Sequence, residues 1–285
     1  MQKVKIIECP RDAMQGLSRL VPTEDKVHYI NSLLQVGFDT IDVGSFVSPR
    51  AIPQMADTVE VLNRIDLSTT KSKLLTIVAN PKGAQRAAEF EEVAFLGYPF
   101  SISETFQLRN TNATIAESLN RLEDINNTCL AKNKKLVVFI SMGFGNPYGD
   151  DWSPSMVTDW TMKLNEKLCV DVFSVSDTIG AATPVIIKNV FDDLLPHVSG
   201  FEIGAHLHAA PNEWQDKVQA ALDAGCYRID GAIHGLGGCP FATDKLTGNL
   251  PTEQVVAWLN KQGYDLGLDM NALAKSTLIA QQLFS

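Results

Sequence analysis

Lys135-Leu136-Val137-Val138-Phe139-Ile140-Ser141-Met142 is the stretch that decides the fold. Leu136 to Ile140 is an unbroken apolar run rich in β-branched and aromatic side chains, so neither face of the strand it forms is suited to water. Strands buried on both faces belong to parallel sheets covered by helices. Working outward, short runs of the same kind recur at 4–8, 40–43, 74–78 and 92–96 before it, and at 171–175, 203–206 and 227–233 after it. Amphipathic stretches separate them, at 23–36, 57–65, 82–90, 114–132, 155–168, 184–198, 212–224 and 252–261, with an additional C-terminal helix at 271–283. Thr23 reads as the N-cap of the first helix, Asn112 or Thr114 as that of the fourth, and Arg11, Asp12 and Gln15 lie in a polar loop. Eight strand–helix repeats within 285 residues predict an α/β protein, a closed (β/α)8 TIM barrel of parallel strands, rather than an open doubly wound sheet. No Gly-x-Gly-x-x-Gly follows the first strand, and no Pro-, Gly- or Ser-rich linker divides the chain, so residues 1–285 read as a single domain.

The charge balance narrows the partners. Lys plus Arg total 24 against 33 Asp plus Glu, a net charge of −9, which disfavours nucleic acid and anionic membranes. The five cysteines, Cys9, Cys129, Cys169, Cys226 and Cys239, are scattered, odd in number and without a C-x-x-C, as expected of free thiols in a reducing compartment. The N-terminal residues enter a strand with no signal-peptide apolar core, and no apolar run approaches the roughly 20 residues that span a bilayer. A cytoplasmic protein is the expectation.

Barrel enzymes place their chemistry at the carboxyl ends of the strands. Collecting the residues there gives Arg11 and Asp12, Asp42 and Ser45, Asn80, Ser101 to Glu104, Asn146, Ser176-Asp177-Thr178, His206 and His208, and His234 through Cys239 with Gly248-Asn249. His206 and His208 are two residues apart, so on a strand their side chains share a face, roughly 6 to 7 Å apart. Spacing alone leaves them as either a chelating pair or two half-buried polar residues at a strand end. Asp12, His206, His208 and Asn249 together form a carboxylate, imidazole and amide set that suits Mg²⁺ or Mn²⁺, with Zn²⁺ a further candidate. The absence of cysteine from that set argues against a structural zinc site. Taken singly, Arg11 could be a surface ion pair, Asp177 a helix cap, Gly237 and Gly238 a turn, and Cys239 an inert small hydrophobe.

The chain resembles the hydroxymethylglutaryl-CoA lyase family of metal-dependent lyase and Claisen-condensation barrels nearly end to end. Pro10 to Gln15 resembles P-R-D-G-L-Q, Gly44 to Asp57 resembles S-F-V-S-P-K-x-x-P-Q-M-x-D, and Ser176 to Gly180 resembles G-D-T-I-G. Gly235-Leu236-Gly237-Gly238-Cys239-Pro240 reproduces G-L-G-G-C-P, the most specific match, and Gly248-Asn249 the later G-N. The resemblance implies a carbon–carbon lyase that cleaves a 3-hydroxy-3-methylglutaryl thioester, an acyl-CoA, to acetoacetate and acetyl-CoA. It implies a divalent metal on Asp12, His206, His208 and Asn249, and catalytic roles for Arg11, Asp42, Asp177 and Cys239. In that scheme Arg11 stabilises the enolate, Asp177 takes the hydroxyl proton or holds the water that does, and Cys239 protonates the acetyl-CoA carbanion. Gln15, Ser45 and Thr178, within the matched motifs, become substrate contacts, and a homodimer is implied. The alternative within the superfamily is an acyltransferase condensing acetyl-CoA with a 2-oxo acid. A metal-binding scaffold without activity is a third reading.

Four positions depart from the family pattern. Asp42 stands where the lyases have Glu, Ala209-Ala210 where Asp-Thr follows the histidines, and Asn146 where Cys is frequent, and the loop from Cys239 to Asn249 is one residue longer. These imply a divergent branch in which the metal chemistry is kept and the acyl substrate differs.

Overall fold

The computed structural model describes residues 2–238 and 247–285. Eight parallel strands close into a barrel in sequence order, β1 Lys5–Glu8, β2 Thr40–Ser45, β3 Lys73–Ile77, β4 Val93–Ser101, β5 Lys135–Ser141, β6 Val172–Ser176, β7 Glu202–His206 and β8 Arg228–Gly231. Helices pack outside: α1 Pro10–Gln15, α2 Thr23–Leu34, α3 Thr58–Leu62, α4 Pro81–Ala88, α5 Glu104–Thr111, α6 Ile115–Ala131, α7 Pro154–Lys167, α8 Pro184–Leu194, α9 Trp214–Asp223, α10 Thr252–Lys261 and α11 Met270–Phe284. Among the described residues no helix is long and apolar enough to cross a membrane.

The apolar core lies mostly between strands and helices, where Leu136, Val138 and Ile140 of β5 are fully buried. The residues alternating with them face the barrel axis. Val137 meets Leu75, Phe95 and Val172 there, with Phe139 packed against them. Both faces of β5 are thus apolar, as its sequence requires. The amino-terminal end of the barrel carries ion pairs instead, Lys5 with Glu202 (2.7 Å) and Arg228 with Asp39 (3.1 Å).

The structure corrects several local expectations. The polar loop after β1 contains α1, which Pro10 opens by fixing φ at the first helical position. Thr23 is the first residue of α2 rather than its cap; its hydroxyl donates to Asp57 (2.8 Å). The fourth strand runs on to Ser101 instead of ending near residue 96. The segment after it includes α5, an element with no apolar stripe to announce it. Thr114, not Asn112, caps α6 through a capping box with Glu117, while Asn112 takes the left-handed conformation that ends α5.

Glu8, at the carboxyl end of β1, is fully buried and ties the barrel's closing segment to its first strand. It accepts hydrogen bonds from the Ile233 amide (2.9 Å) and the Thr252 hydroxyl (2.6 Å). Burial pushes its carboxyl up to about 8, although those two bonds pull the other way. The folded protein therefore binds this proton more tightly than the unfolded chain does. The contribution to stability is fully present below the ordinary carboxylate range and fades as pH rises through about 8. Wild type should lose melting temperature relative to Glu8→Gln between pH 5 and pH 9; parallel melting curves across that range would expose the error.

Candidate active site

The carboxyl ends of the strands surround a cavity of about 440 Å³ lined by Arg11, Asp12, Gln15, Ser45, Phe139, Thr178, His206 and His208, among others. Its size suits a small-molecule ligand. Asp12 and Arg11 reach it from α1, whose start at Pro10 directly after β1 puts both side chains at the barrel mouth. His206 ends β7, and His208 continues past it, held by a bridge to Asn249 and by the Ala209 amide bonding the Gly248 carbonyl (3.0 Å). The two imidazoles meet edge to face with centroids 5.2 Å apart. One ligand atom from each of Asp12, His206 and His208 lies within 4.8 Å of the other two.

Each imidazole is oriented from behind. His206 Nδ1 faces Asp230 Oδ2 (3.2 Å), which also accepts from Ser174 Oγ (3.0 Å). His208 Nδ1 faces the Thr178 carbonyl (3.3 Å), and a carbonyl can only accept, so Nδ1 carries the hydrogen and Nε2 is bare. That Nε2 is buried and has no hydrogen-bond partner among the described residues. Asn249 Oδ1 is in the same condition, while its Nδ2 donates to Asp12 Oδ2 (2.6 Å) and the Leu236 carbonyl (2.7 Å). Buried polar atoms left without partners are costly and rare. Two of them beside an ionised carboxylate fit a divalent cation as the missing partner.

The electrostatics agree. Burial alone would raise Asp12, but Arg11, the two imidazoles and the Asn249 amide outweigh it and hold the carboxyl at about 2. Burial and the neighbouring His206 lower His208 to about 4, which leaves it neutral and able to ligate at neutral pH. Burial lowers His206 too, but the hydrogen bond and charge of Asp230 raise it overall.

Arg11 lies beside this cluster with its guanidinium almost fully engaged. Nε and NH2 donate to Asp42 Oδ2 (2.9 and 2.5 Å), and NH1 donates to Asp12 Oδ1 (2.9 Å) and Gln15 Oε1 (2.8 Å). Four of its five N–H groups are thus occupied among the described residues, leaving one NH2 hydrogen. The short arm of Asp42 is sufficient to grip Arg11; its Oδ1 is buried without a partner, and burial raises the carboxyl to about 6 against the pull of Arg11.

Other residues singled out from the sequence take different positions. Gln15 lines the cavity but is committed to Arg11 and to Asp12 Oδ1 (2.6 Å). Ser45 lines it too, its hydroxyl donating to the Ile77 carbonyl (3.2 Å). The Thr178 hydroxyl accepts from the Met142 amide (2.9 Å), and its carbonyl serves His208. Asp177, expected at the reacting hydroxyl, is not among the cavity-lining residues. It pairs with Lys217 (3.2 Å) and accepts from the Ala182 amide (3.1 Å). Asn146 likewise is spent on its own turn, donating to the Asp150 carbonyl (2.8 Å). Gly237 is more than a turn residue: at φ +94° a Cβ there would sit 2.6 Å from the Asp12 carbonyl oxygen and 2.7 Å from Asn249 Nδ2. Only glycine lets the loop backbone pack on Asp12 and Asn249 this closely. Cys239 lies outside the described residues.

The sequence reading missed Asp230 and Lys217. Asp230 is 3 % exposed in the middle of a predicted strand, and a carboxylate inside an apolar run was the signal for a buried partner. Lys217 interrupts the buried stripe of α9 formed by Trp214, Val218 and Ala221, which is the same kind of signal.

A carboxylate, two converging imidazoles and a clamped guanidinium at the carboxyl end of a (β/α)8 barrel place the protein among the metal-dependent barrel enzymes. Residues 3–279 match the HMGL-like family model, and the chain belongs to that family. It is 33% identical over 276 residues to the cytoplasmic 3-hydroxy-3-methylglutaryl-CoA lyase of Rattus norvegicus, covering 96% of this chain and 79% of that one. Among solved structures it resembles the HMG-CoA lyase from Brucella melitensis, with a TM-score of 0.90, 32% identity and 99% of both chains covered. It also resembles an HMG-CoA lyase from A. baumannii solved in complex with coenzyme A and 3-methylmalate, with a TM-score of 0.89, 31% identity, and 99% and 91% of the two chains covered.

Proposed function

We propose that the protein is a divalent-metal-dependent carbon–carbon lyase that cleaves 3-hydroxy-3-methylglutaryl-CoA, or a closely related 3-hydroxyacyl-CoA, to acetoacetate and acetyl-CoA. The observation that carries this reading is the approach of Asp12, His206 and His208 to within 4.8 Å in a cavity that also exposes Arg11. Asn249 Oδ1 is the fourth ligand, and the oxygen donors of Asp12 and Asn249 beside the two imidazoles suit Mg²⁺ or Mn²⁺, with Zn²⁺ a further candidate. Bound there, the metal supplies Lewis acidity toward the substrate's tertiary hydroxyl.

The protein's own groups do the rest. Asp42, like Asp177, is not among the cavity-lining residues; it grips Nε and NH2 of Arg11 and so positions the guanidinium, and the substrate's hydroxyl proton passes to water in the cavity. As the C2–C3 bond breaks, the electron pair moves onto the thioester as an enolate. Arg11, which lines the cavity and keeps one NH2 hydrogen unoccupied among the described residues, stabilises that charge. Cys239, next in sequence to Gly238, delivers the proton that completes acetyl-CoA. Asp177 is a structural partner of Lys217 in this scheme and takes no proton. A homodimer in the reducing setting of the cytoplasm completes the reading.

The test is turnover. Hydroxymethylglutaryl-CoA with Mn²⁺ or Mg²⁺ should yield acetoacetate and acetyl-CoA in equal amounts, and a chelator should abolish both. Free thiol appearing only from acetyl-CoA plus a 2-oxo acid would instead make the protein a condensing acyltransferase.

A further inference from the structure

Three acceptors at the rim converge on one ammonium. Lys217 Nζ, carried by α9, donates to the His208 carbonyl (2.7 Å), the Gly180 carbonyl (3.1 Å) and Asp177 Oδ2 (3.2 Å). All three of its N–H bonds are used. Lys217 is 3 % exposed, and burying an ammonium carries a desolvation penalty that a single ion pair does not clearly recover. Its contact with Asp177 would suffice for charge balance; the two carbonyl contacts need another reason.

Both lead to His208. One fixes the backbone that carries the imidazole. The other, with Asp177, fixes the turn containing Thr178, whose carbonyl receives the Nδ1–H of the same ring. Lys217 thus holds the root of the side chain and the acceptor that sets its tautomer. Ala209-Ala210, directly after His208, offer no polar side chain for that purpose. We propose that Lys217 is a positioning residue for the metal site, aiming Nε2 of His208 at the ion by fixing both its backbone and the turn that accepts its Nδ1–H. This rests on the metal reading above.

The test compares wild type, Lys217→Met and the double variant Lys217→Met/Asp177→Asn by melting temperature and by titration with Mn²⁺ alone. Lys217→Met leaves Asp177 buried without its cation and should melt lower, and the double variant should recover most of that loss. Mn²⁺ affinity should fall about 10- to 100-fold in Lys217→Met and stay low in the double variant, as when the groups behind a metal ligand are removed. A double variant that binds Mn²⁺ like wild type would reduce Lys217 to a counter-ion of Asp177 and overturn the inference while leaving the metal reading intact. A wild type that binds no Mn²⁺ would overturn both.

Discussion

Arg11→Gln should lower kcat by about 10³-fold while leaving Mn²⁺ affinity within a few-fold of wild type. Removing one preorganised donor from a developing oxyanion typically costs 10² to 10³ in rate, and Arg11 brings a full charge as well as a donor. Its position is dictated from three sides, by Asp42, Asp12 and Gln15, so a replacement side chain will not find the same place by chance. Arg11→Lys should recover little, because an ammonium cannot span Asp42 and Asp12 as the planar fork does. Both variants leave Asp42 short of a partner at 1 % exposure, so melting temperatures must accompany the rates. Folded Arg11→Lys protein turning over at near wild-type rate would remove Arg11 from the chemistry.

Asp12→Ala should have the larger effect, because several contacts fail together. The carboxylate is one of the three clustered ligand groups, and it also accepts from Arg11, Gln15, Asn249 and, at 3.4 Å, the Gly238 amide. Its loss removes a ligand and releases the amide and guanidinium that it holds. Turnover should fall by more than about 10³-fold, and excess Mn²⁺ should restore only part of it, since a remade metal complex would still lack the Arg11 alignment. Full recovery at high metal concentration would mean that Asp12 only tunes affinity.

How much of this was legible depended on whether the sequence signal was local. The barrel was, because β5 and its counterparts are apolar on both faces and only a helix-covered parallel sheet satisfies that. His206 and His208 were, because two residues apart on one strand places them side by side. Asp12 and Asn249 are 237 positions apart, and only their matched motifs put them on one rim before the structure brought Asn249 Nδ2 onto Asp12. The α5 helix was missed because it buries little beyond Phe106 and Gln107; its one clear mark is Ser103, whose hydroxyl caps the Phe106 amide. Asp177 was assigned by motif to the reacting hydroxyl, and nothing local showed that a lysine 40 residues later would claim it. Asp230 and Lys217 did carry a readable mark, a charge inside an apolar pattern, and such marks identify residues that support a site as readily as residues that line one.

The proposed chemistry requires Asp12, His206 and His208 to share one divalent ion at the barrel mouth. Pulsed EPR of the Mn²⁺-loaded protein tests it most directly, since bound imidazole nitrogens modulate the manganese echo. Modulation from two imidazole nitrogens is expected in a sample that cleaves hydroxymethylglutaryl-CoA, and from one in His206→Ala. A manganese echo without nitrogen modulation in an active sample would contradict it.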